Sequence, residues 1–365
     1  MTKITISEIA RRAGVSKTAV SFAFNYPERL SEDTLRRILT VADEVGYAPD
    51  PVASNLKTRR TGCIGILVPQ PIPIMTRNPY LLTFIEGVGD VCHESGMSLM
   101  LVPPLKGNLR RAIVRAAVDG FLTLGLETFR GTMVVLQQRG VPFVMVDSDP
   151  TPDIPCVNID DEAGAYAAMS YTLARGHREI AIFGIRSGHA GDYRKYAGTL
   201  QRRIAGYARA LAEHGLSLDA PNIHLLECEC DAAGGYEGLH ALWQSRWQPT
   251  AIVAMADVIA IGVMQAAREL GVRIPQDLSL IGYDDSRLSE NPRIDLTTIH
   301  QDAPEMARQS VELAVQMLVD GPSRASDVVL EPTLVVRGTT APPHYESASP
   351  PSLSSRSTIT SMSGS

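Results

Sequence analysis

Residues 4–21 read ITISEIARRAGVSKTAVS, and this stretch decides the fold of the N-terminal region. Apolar side chains recur every three or four positions over residues 6–13, which predicts one buried face of a short α-helix. Thr5 and Glu8 have the spacing of a capping box, in which each side chain bonds the other residue's backbone N–H. Gly14 is then expected to end the helix, because glycine takes the left-handed backbone conformation without strain.

A second helix follows after only three residues. Ser16 can cap it, and the pattern predicts helix over residues 17–24. Two helices joined by a three-residue turn that contains glycine form the helix-turn-helix pattern, although a plain helical hairpin fits the same spacing. In a helix-turn-helix unit, the N-terminal part of the second helix enters the major groove of DNA. That part of this chain offers Lys17, Thr18, Ser21 and Phe22.

Two further helices are expected before residue 60. Ser31 can cap a helix over residues 32–45, which Gly46 would end. Asp50 and Pro51 suit the N-cap and first helical position of a short helix over residues 51–57. A helix of that length does not persist alone in water, so it would need a partner to fold.

From Cys63 onward the pattern changes to short apolar runs that alternate with amphipathic stretches of helix length. This alternation predicts parallel β-sheets covered by helices on both faces. This region of nearly 280 residues is larger than a domain built on one such sheet usually is, so we expect two α/β subdomains. The predicted strands are residues 64–68, 98–102, 121–124, 143–146, 180–183, 223–226, 251–255 and 278–282, and the clearest helices are residues 81–94, 201–214, 257–270 and 304–319.

The charge of the chain is divided unevenly. Its 365 residues contain 34 Lys and Arg against 40 Asp and Glu, a formal net charge of −6. Residues 1–60 hold ten of the basic residues but only seven of the acidic ones, so this segment is basic and the remainder is strongly acidic. A basic head is suited to DNA, whereas an acidic body would repel it.

The N-terminus has no apolar run typical of a secretory signal, and the longest apolar stretch, residues 251–267, is interrupted by Asp257 and too short to span a membrane. We therefore expect a cytoplasmic protein with no membrane partner. Its five cysteines are sparse, and the one close pair, Cys228 and Cys230, lacks the further ligands of a zinc site. We expect free thiols, no metal and no cofactor.

Several motifs together carry a resemblance to a known family. They are ITISEIARRAGVS (4–16), TAVS (18–21), Asn25, LSEDT (30–34), VGYAP (45–49), DPVASNLKTRRT (50–61), IGILVP (64–69), RIAGY (203–207), Ala256-Asp257 and LIGYDD (280–285). In this combination the chain resembles the LacI/GalR family of bacterial transcription regulators over residues 2 to about 340.

The resemblance implies a multi-domain protein. A small all-α helix-turn-helix head would be followed by an α/β core like periplasmic binding proteins, made of two doubly wound parallel-sheet subdomains. The expected boundaries are a head at 1–49, a hinge helix and linker at 50–62, an N-subdomain at 63–160 plus about 292–321, a C-subdomain at 161–291 plus about 322–340, and a disordered tail at 341–365.

The resemblance also assigns DNA-binding roles. A leucine of each hinge helix would wedge into the minor groove of the operator, and that leucine is Leu56 here. The family usually has arginine where this chain has Phe22, and a phenyl ring can contact a thymine methyl but cannot read guanine. Inward packing of Phe22 is the alternative. The implied DNA-binding residues are Thr5, Ser16, Lys17, Thr18, Ser21, Phe22, Asn25, Ala53, Leu56 and Lys57.

A small-molecule effector would lie in the cleft between the core subdomains, where strand ends present polar side chains. Asp257 begins a predicted helix, where an acidic side chain suits the helix dipole, and this interpretation is stronger than a ligand contact. Cys230 stands where an aromatic residue is frequent in the family, which weakens the case for a stacked sugar. The implied effector-binding residues are Gln70, Tyr80, Asp147, Arg203, Cys230, Asp257 and Asp284; the polar loop 186–198 is an alternative contact for an anion.

These observations predict a DNA-binding repressor that acts as a homodimer on a pseudo-palindromic operator. Its effector would be a sugar or another small polar metabolite. A periplasmic-type solute-binding protein is the alternative, but it would carry a signal peptide and no DNA-reading head. An enzyme is the third class, and the glycines at 184, 188 and 191 lack the Lys-Ser/Thr ending of a phosphate loop.

Overall fold

The computed structural model describes residues 4–48, 60–125, 130–189, 191–245, 247–287, 293–321 and 326–343. The chain divides into two compact units, Met1–Thr61 and Gly62–Ser365. The first unit contains α1 (Ile6–Ala13), α2 (Lys17–Asn25), a 3₁₀ turn (Pro27–Arg29) and α3 (Glu32–Glu44). The predicted hinge helix at 51–57 lies outside the described residues.

The three head helices enclose a small apolar core of fully or nearly fully buried side chains, including Ile9, Val20 and Ile38. Gly14 has φ +64°, so it ends α1 in the left-handed conformation that the sequence predicts. Ser16 caps α2 by accepting from the Ala19 N–H at 3.1 Å. Ser31 caps α3 in the same way, accepting from the Thr34 N–H.

The capping box predicted at the start of α1 is wrong. Thr5 occupies the N-cap position but its side chain makes no capping hydrogen bond. Glu8 turns instead toward the next turn of the helix, where it pairs with Arg11 and with Arg12. These two guanidinium groups lower the pKa of Glu8 to about 2. Two charged partners outcompete one backbone N–H, which explains the difference.

The first subdomain of the second unit consists of β1 (Cys63–Leu67), α4 (Ile72–Met75), α5 (Pro79–Glu94), β2 (Ser98–Val102), α6 (Leu109–Arg115), β3 (Gly120–Leu124), α7 (Arg130–Arg139), β4 (Phe143–Val146), β5 (Cys156–Ile159), α12 (Ala303–Asp320) and β11 (Val328–Leu330). Its strands form a parallel sheet in the order β11-β5-β4-β3-β1-β2. Helices cover both faces of the sheet: α5 and α12 lie on one face, and α6 and α7 on the other.

The second subdomain consists of α8 (Asp161–Ala174), β6 (Ile180–Ile185), a 3₁₀ turn (Tyr193–Lys195), α9 (Gly198–Glu213), β7 (Ile223–Cys228), α10 (Ala232–Trp243), β8 (Ala251–Ala254), α11 (Asp257–Leu270), β9 (Ser279–Ile281), β10 (Thr298–His300) and β12 (Thr333–Val335). It has a parallel sheet in the order β7-β6-β8-β9, with α8 and α9 on one face and α10 and α11 on the other. β10 and β12 form an antiparallel pair beside this sheet.

The chain crosses between the subdomains later than the sequence predicts. Residues 293–300 belong to the C-subdomain, because Leu296 and Ile299 are buried in its core and β10 pairs with β12. β11, expected in the C-subdomain, extends the N-subdomain sheet by pairing with β5. The short polar segments between these strands carry no periodic signal that would have placed the crossings.

Ala341, predicted as the first residue of a disordered tail, is bonded to the C-subdomain. Its carbonyl accepts from the Ser279 hydroxyl at 2.9 Å, and its N–H donates to the Ser279 hydroxyl oxygen at 3.0 Å. Residues 344–365 lie outside the described part of the chain.

Helices α8 and α9 approach so closely that one glycine is required between them. A Cβ at Gly206 would lie 2.2 Å from the Glu162 carbonyl oxygen and 2.7 Å from the Tyr166 nitrogen. The Gly206→Ala variant is therefore expected to lower the free energy of unfolding of the core by about 1–3 kcal/mol, measured by urea denaturation. Gly131→Ala is the control, since it adds the same methyl to helix α7 in open space; equal stability of the two variants would contradict the prediction.

Candidate functional site

The exposed face of α2 presents the side chains that the sequence predicts to read DNA. Lys17 and Thr18 are exposed in its first turn, next to the Ser16 cap, while Val20 and Ala23 are buried on the opposite face. Further along, the Asn25 amide donates to the Ser21 carbonyl at 2.8 Å. Thr5, at the N-cap of α1, is exposed as well.

Phe22 lies outside the head's apolar core, so its inward packing is excluded in this structure. Its ring meets Tyr26 edge to face at a centroid distance of 6.1 Å. The Arg29 guanidinium lies 5.6 Å from the Phe22 ring centroid and 4.9 Å from that of Tyr26. The three side chains therefore form one aromatic and cationic cluster on the side of α2. Ala53, Leu56 and Lys57 lie outside the described residues.

A cavity of about 270 Å³ lies between the two core subdomains. Its walls come from the carboxyl ends of parallel strands and from the first turns of α5 and α9, as expected for a ligand site in doubly wound sheets. Six of the seven effector-binding residues predicted from the sequence line it: Gln70, Tyr80, Asp147, Arg203, Cys230 and Asp284.

Arg203 is buried in the cavity wall and held on three sides. Its Nε donates to Asp161 Oδ1 at 2.9 Å, and Nη1 donates to the Met255 carbonyl. The guanidinium carbon lies 3.6 Å from the centroid of the Tyr283 ring. Burial by itself would lower the pKa of Arg203, but Asp161 raises it above its ordinary value, so the group stays charged.

Asp147 and Tyr80 form a second polar pair, from the N-subdomain. The Tyr80 hydroxyl donates to Asp147 Oδ2 at 2.8 Å. The backbone of Asp147 has φ +51°, a left-handed conformation that is uncommon for residues other than glycine. Burial raises its pKa to about 6, with a further contribution from the negative charge of Asp161.

Asp284 reaches the cavity from the C-subdomain, just beyond β9. Its Oδ1 accepts from the Gln301 amide at 2.7 Å. Burial raises its pKa well above the ordinary value, and the neighbouring charge of Asp257 raises it further. With φ +125°, Asp284 is also strained, and such strain is typically found at functional sites.

Asp257 does not line the cavity, which corrects its prediction as an effector contact. It is fully buried, and its Oδ1 accepts from the Thr298 hydroxyl at 2.6 Å. Its Oδ2 accepts from the Ser286 N–H at 2.8 Å. Asp257 thus joins the start of α11 to β10 and to the loop that carries Asp284, which is a positioning role.

The polar loop after β6 is held by its own ion pairs. Arg186 pairs with Glu229 at 2.6 Å, and Arg194 pairs with Asp219 at 3.0 Å. Lys195 pairs with Asp192 at 3.0 Å. Arg194 and Lys195 are not among the described residues that line the cavity. Arg186 lines only a pocket that adjoins the cavity at Cys230, and there it is paired with Glu229.

Ion pairs also cross between the subdomains. Arg202 bridges Asp149 of the N-subdomain, at 2.9 Å, and Asp161 of the C-subdomain, at 3.0 Å. Two more exposed pairs join opposite sides: Arg77 with Asp231 at 3.3 Å, and Arg287 with Glu86 at 3.0 Å. The contacts around the cavity therefore depend on how far the subdomains are closed.

Sequence reasoning missed the residues that position the cavity's charged groups. Asp161 holds Arg203, Gln301 holds Asp284, and Asn78 donates to the Cys230 sulfur at 3.7 Å. Asp161 begins α8, two residues after β5 ends, and the polar Asn158 in that strand interrupts its apolar run. A strand prediction that tolerated one polar residue would have placed Asp161 at a strand end.

A DNA-reading helical head and a two-subdomain binding core together define a ligand-controlled transcription regulator. Residues 5–50 match the family described as bacterial regulatory proteins, lacI family, and residues 169–340 match a periplasmic binding protein-like domain. The HTH-type transcriptional repressor PurR of Vibrio vulnificus is 33% identical over 92% of this chain and 98% of its own length. The chain therefore belongs to the LacI family of bacterial transcription regulators.

Solved structures agree with this fold. The lac repressor dimer bound to operator and the anti-inducer ONPF has a TM-score of 0.77 at 23% identity, over 93% of this chain and 100% of that one. A LacI-family regulator from Enterococcus faecium with bound ribose has a TM-score of 0.67 at 26% identity, over 77% and 99%. In the described part of this chain, no cluster of side chains could hold a metal ion. No helix described here is both long and apolar enough to cross a membrane.

Proposed function

We propose that this chain is a cytoplasmic repressor that binds a pseudo-palindromic operator on nucleoid DNA as a homodimer and that it responds to a small effector in the core cavity. One observation carries the proposal: a helix-turn-helix head with an exposed reading face belongs to the same chain as a polar cavity between two subdomains. A two-fold symmetric dimer would read a symmetric operator. The chain performs no catalysis in this scheme.

The cavity supplies a means of control. A ligand that contacts both walls binds the closed arrangement better than the open one and therefore shifts the population toward closure. The cross-cleft pairs of Arg202, Arg77 and Arg287 join the two walls in this structure and would lengthen if the subdomains moved apart. The closed state would then set the separation of the two hinges that carry the heads.

The test is selection of DNA sites from a random pool with the full chain, followed by measurement of the selected site with and without metabolite pools. We expect a site with two inverted half-sites and an affinity that changes when an effector is present. Recovery of unrelated sequences, with an affinity that depends on salt alone, would refute the proposal.

Phe22 should set part of the half-site. We expect the wild-type chain to differ from arginine-bearing family members at the base pair that Phe22 faces, and the Phe22→Arg variant to prefer guanine there by about 1–3 kcal/mol. Competition between matched duplexes measures the preference. Phe22→Leu is the control, because it keeps an apolar contact and should keep the wild-type preference. An unchanged preference in Phe22→Arg would show that this position does not read DNA.

Leu56 should act as the minor-groove wedge. We expect Leu56→Ala to weaken operator binding by roughly tenfold or more, since the kinked DNA loses its wedge, while the unfolding temperature of the core stays unchanged. Lys57→Ala is the contrasting variant: loss of one phosphate contact should lower the salt slope of binding by about one. Operator binding by Leu56→Ala at wild-type strength would contradict the prediction.

A further inference from the structure

We propose that the core cavity takes a small uncharged or positively charged molecule that donates hydrogen bonds from two ends, and that it rejects carboxylates and phosphate esters. This inference rests on the proposed effector-sensing function and assigns the chemical class of the effector. It follows from how the charged groups of the cavity are paired.

The one guanidinium in the described cavity wall is already occupied. Arg203 is paired with Asp161, bonded to the Met255 carbonyl and stacked on Tyr283. An anion that bound to Arg203 would have to share it with Asp161, a carboxylate that is 1% exposed and cannot move into solvent. Arg203 can offer a remaining N–H edge to a ligand oxygen, but it has no uncompensated charge to offer.

The surroundings of the cavity are acidic. Asp161 is shared by Arg202 and Arg203, and Arg202 also pairs with Asp149. Asp257 lies beside Asp284, with its N–H 3.4 Å from Asp284 Oδ2. Even with Asp284 protonated, the carboxylates in and around the cavity outnumber the guanidinium groups of Arg202 and Arg203. These carboxylates are Asp147, Asp149, Asp161 and Asp257. An anion would lose its hydration in a negative field without gaining an unpaired cation, which is costly.

The acceptors lie on opposite walls. Asp147 belongs to the N-subdomain and accepts through Oδ2 from Tyr80, the partner that the described structure gives it, which leaves Oδ1 to a ligand. Asp284 belongs to the C-subdomain. Hydroxyl or amino groups at both ends of one molecule would bond the two carboxylates and hold the subdomains together.

Cys230 allows a test that needs no identified effector. It lines the cavity and is partly exposed, whereas the other four cysteines are buried. The full chain, free of DNA, is treated with 2-aminoethyl methanethiosulfonate, a cation, or 2-sulfonatoethyl methanethiosulfonate, an anion. Rates are normalised to the urea-unfolded chain, and Cys230→Ser identifies the site. We expect the cation to react roughly tenfold or more faster, because an acidic cleft concentrates cations. An equal rate, or a faster anion, would overturn the proposal.

Variants identify the source of the selectivity. Glu229 and Asp231 also flank Cys230, but they are paired with Arg186 and Arg77. We therefore expect Asp147→Asn to reduce the rate ratio severalfold, and Asp90→Asn, on the exposed side of α5, to leave it unchanged. An unchanged ratio in Asp147→Asn would overturn the assignment. Failure of the chain to bind an operator would refute the proposed function without altering these rates.

Discussion

The Asp147→Asn variant is expected to be more stable than the wild-type chain at pH 8 and to have lost its response to effector. The Asp147 carboxyl has a pKa of about 6, raised by burial and by Asp161. The unfolded chain would ionise it near pH 4. Above pH 6 the folded state therefore holds a charge that it disfavours, at a cost of about 3 kcal/mol. Asparagine removes the charge and keeps an oxygen that accepts from the Tyr80 hydroxyl.

The difference in stability should depend on pH in a stated direction. Because the pKa is higher in the folded state, the cost is absent below about pH 4, grows as the pH rises toward 6, and is constant above it. Thermal denaturation of both chains at several pH values measures this, and Asp90→Asn on an exposed helix face is the control. A variant less stable than wild type at pH 8 would mean that Asp147 stabilises the core instead.

The Arg203→Ala variant is expected to lose about 3–5 kcal/mol of folding free energy. Its guanidinium is 5% exposed and bonds a carboxylate that is 1% exposed, so its removal leaves a buried charge without one of its partners. It also leaves the Met255 carbonyl without this donor and removes the stack on Tyr283. Urea denaturation measures the loss.

Arg202→Ala is the matched control for Arg203→Ala. Arg202 bonds the same carboxylate of Asp161 but is 24% exposed, so water can replace much of what it contributes. We expect Arg202→Ala to lower the free energy of unfolding by a third or less of the loss in Arg203→Ala. It should also weaken closure of the two subdomains, because the bond from Arg202 to Asp149 crosses the cleft. An equal loss of unfolding free energy in Arg203→Ala and Arg202→Ala would show that burial does not determine how much each arginine's bond to Asp161 contributes to stability.

The local elements were largely predictable from the sequence. The turn at Gly14, the Ser16 and Ser31 caps and the apolar strands depend on neighbours within a few residues, and each is present in the structure. The Thr5 capping box failed because two arginines compete for Glu8. The strand that precedes Asp161 was missed because one polar residue interrupts it. Local rules fail where a side chain has a choice of partners.

The cavity was predictable only in part. Strand-end positions predicted Gln70, Asp147 and Asp284 as its lining, because parallel strands end at one edge of a sheet. Tyr80 lies instead in the first turn of α5. That Asp257 lies outside the cavity wall was not predictable, since two aspartates near neighbouring strand ends look alike in sequence. The structure separates them through Thr298 and Ser286, which bond Asp257 away from the cavity.

The sequence by itself determined the DNA-reading helix, the alternation of strands and helices, and a basic head on an acidic body, because each depends on residue type and on spacing along the chain. Only the tertiary structure decided where the chain crosses between the subdomains, which carboxylates face the ligand, and that Arg203 is already neutralised by Asp161. Those features depend on contacts between residues on different strands and helices, which local sequence patterns do not specify. The pairing of buried charges depends on which groups are packed together where water is excluded.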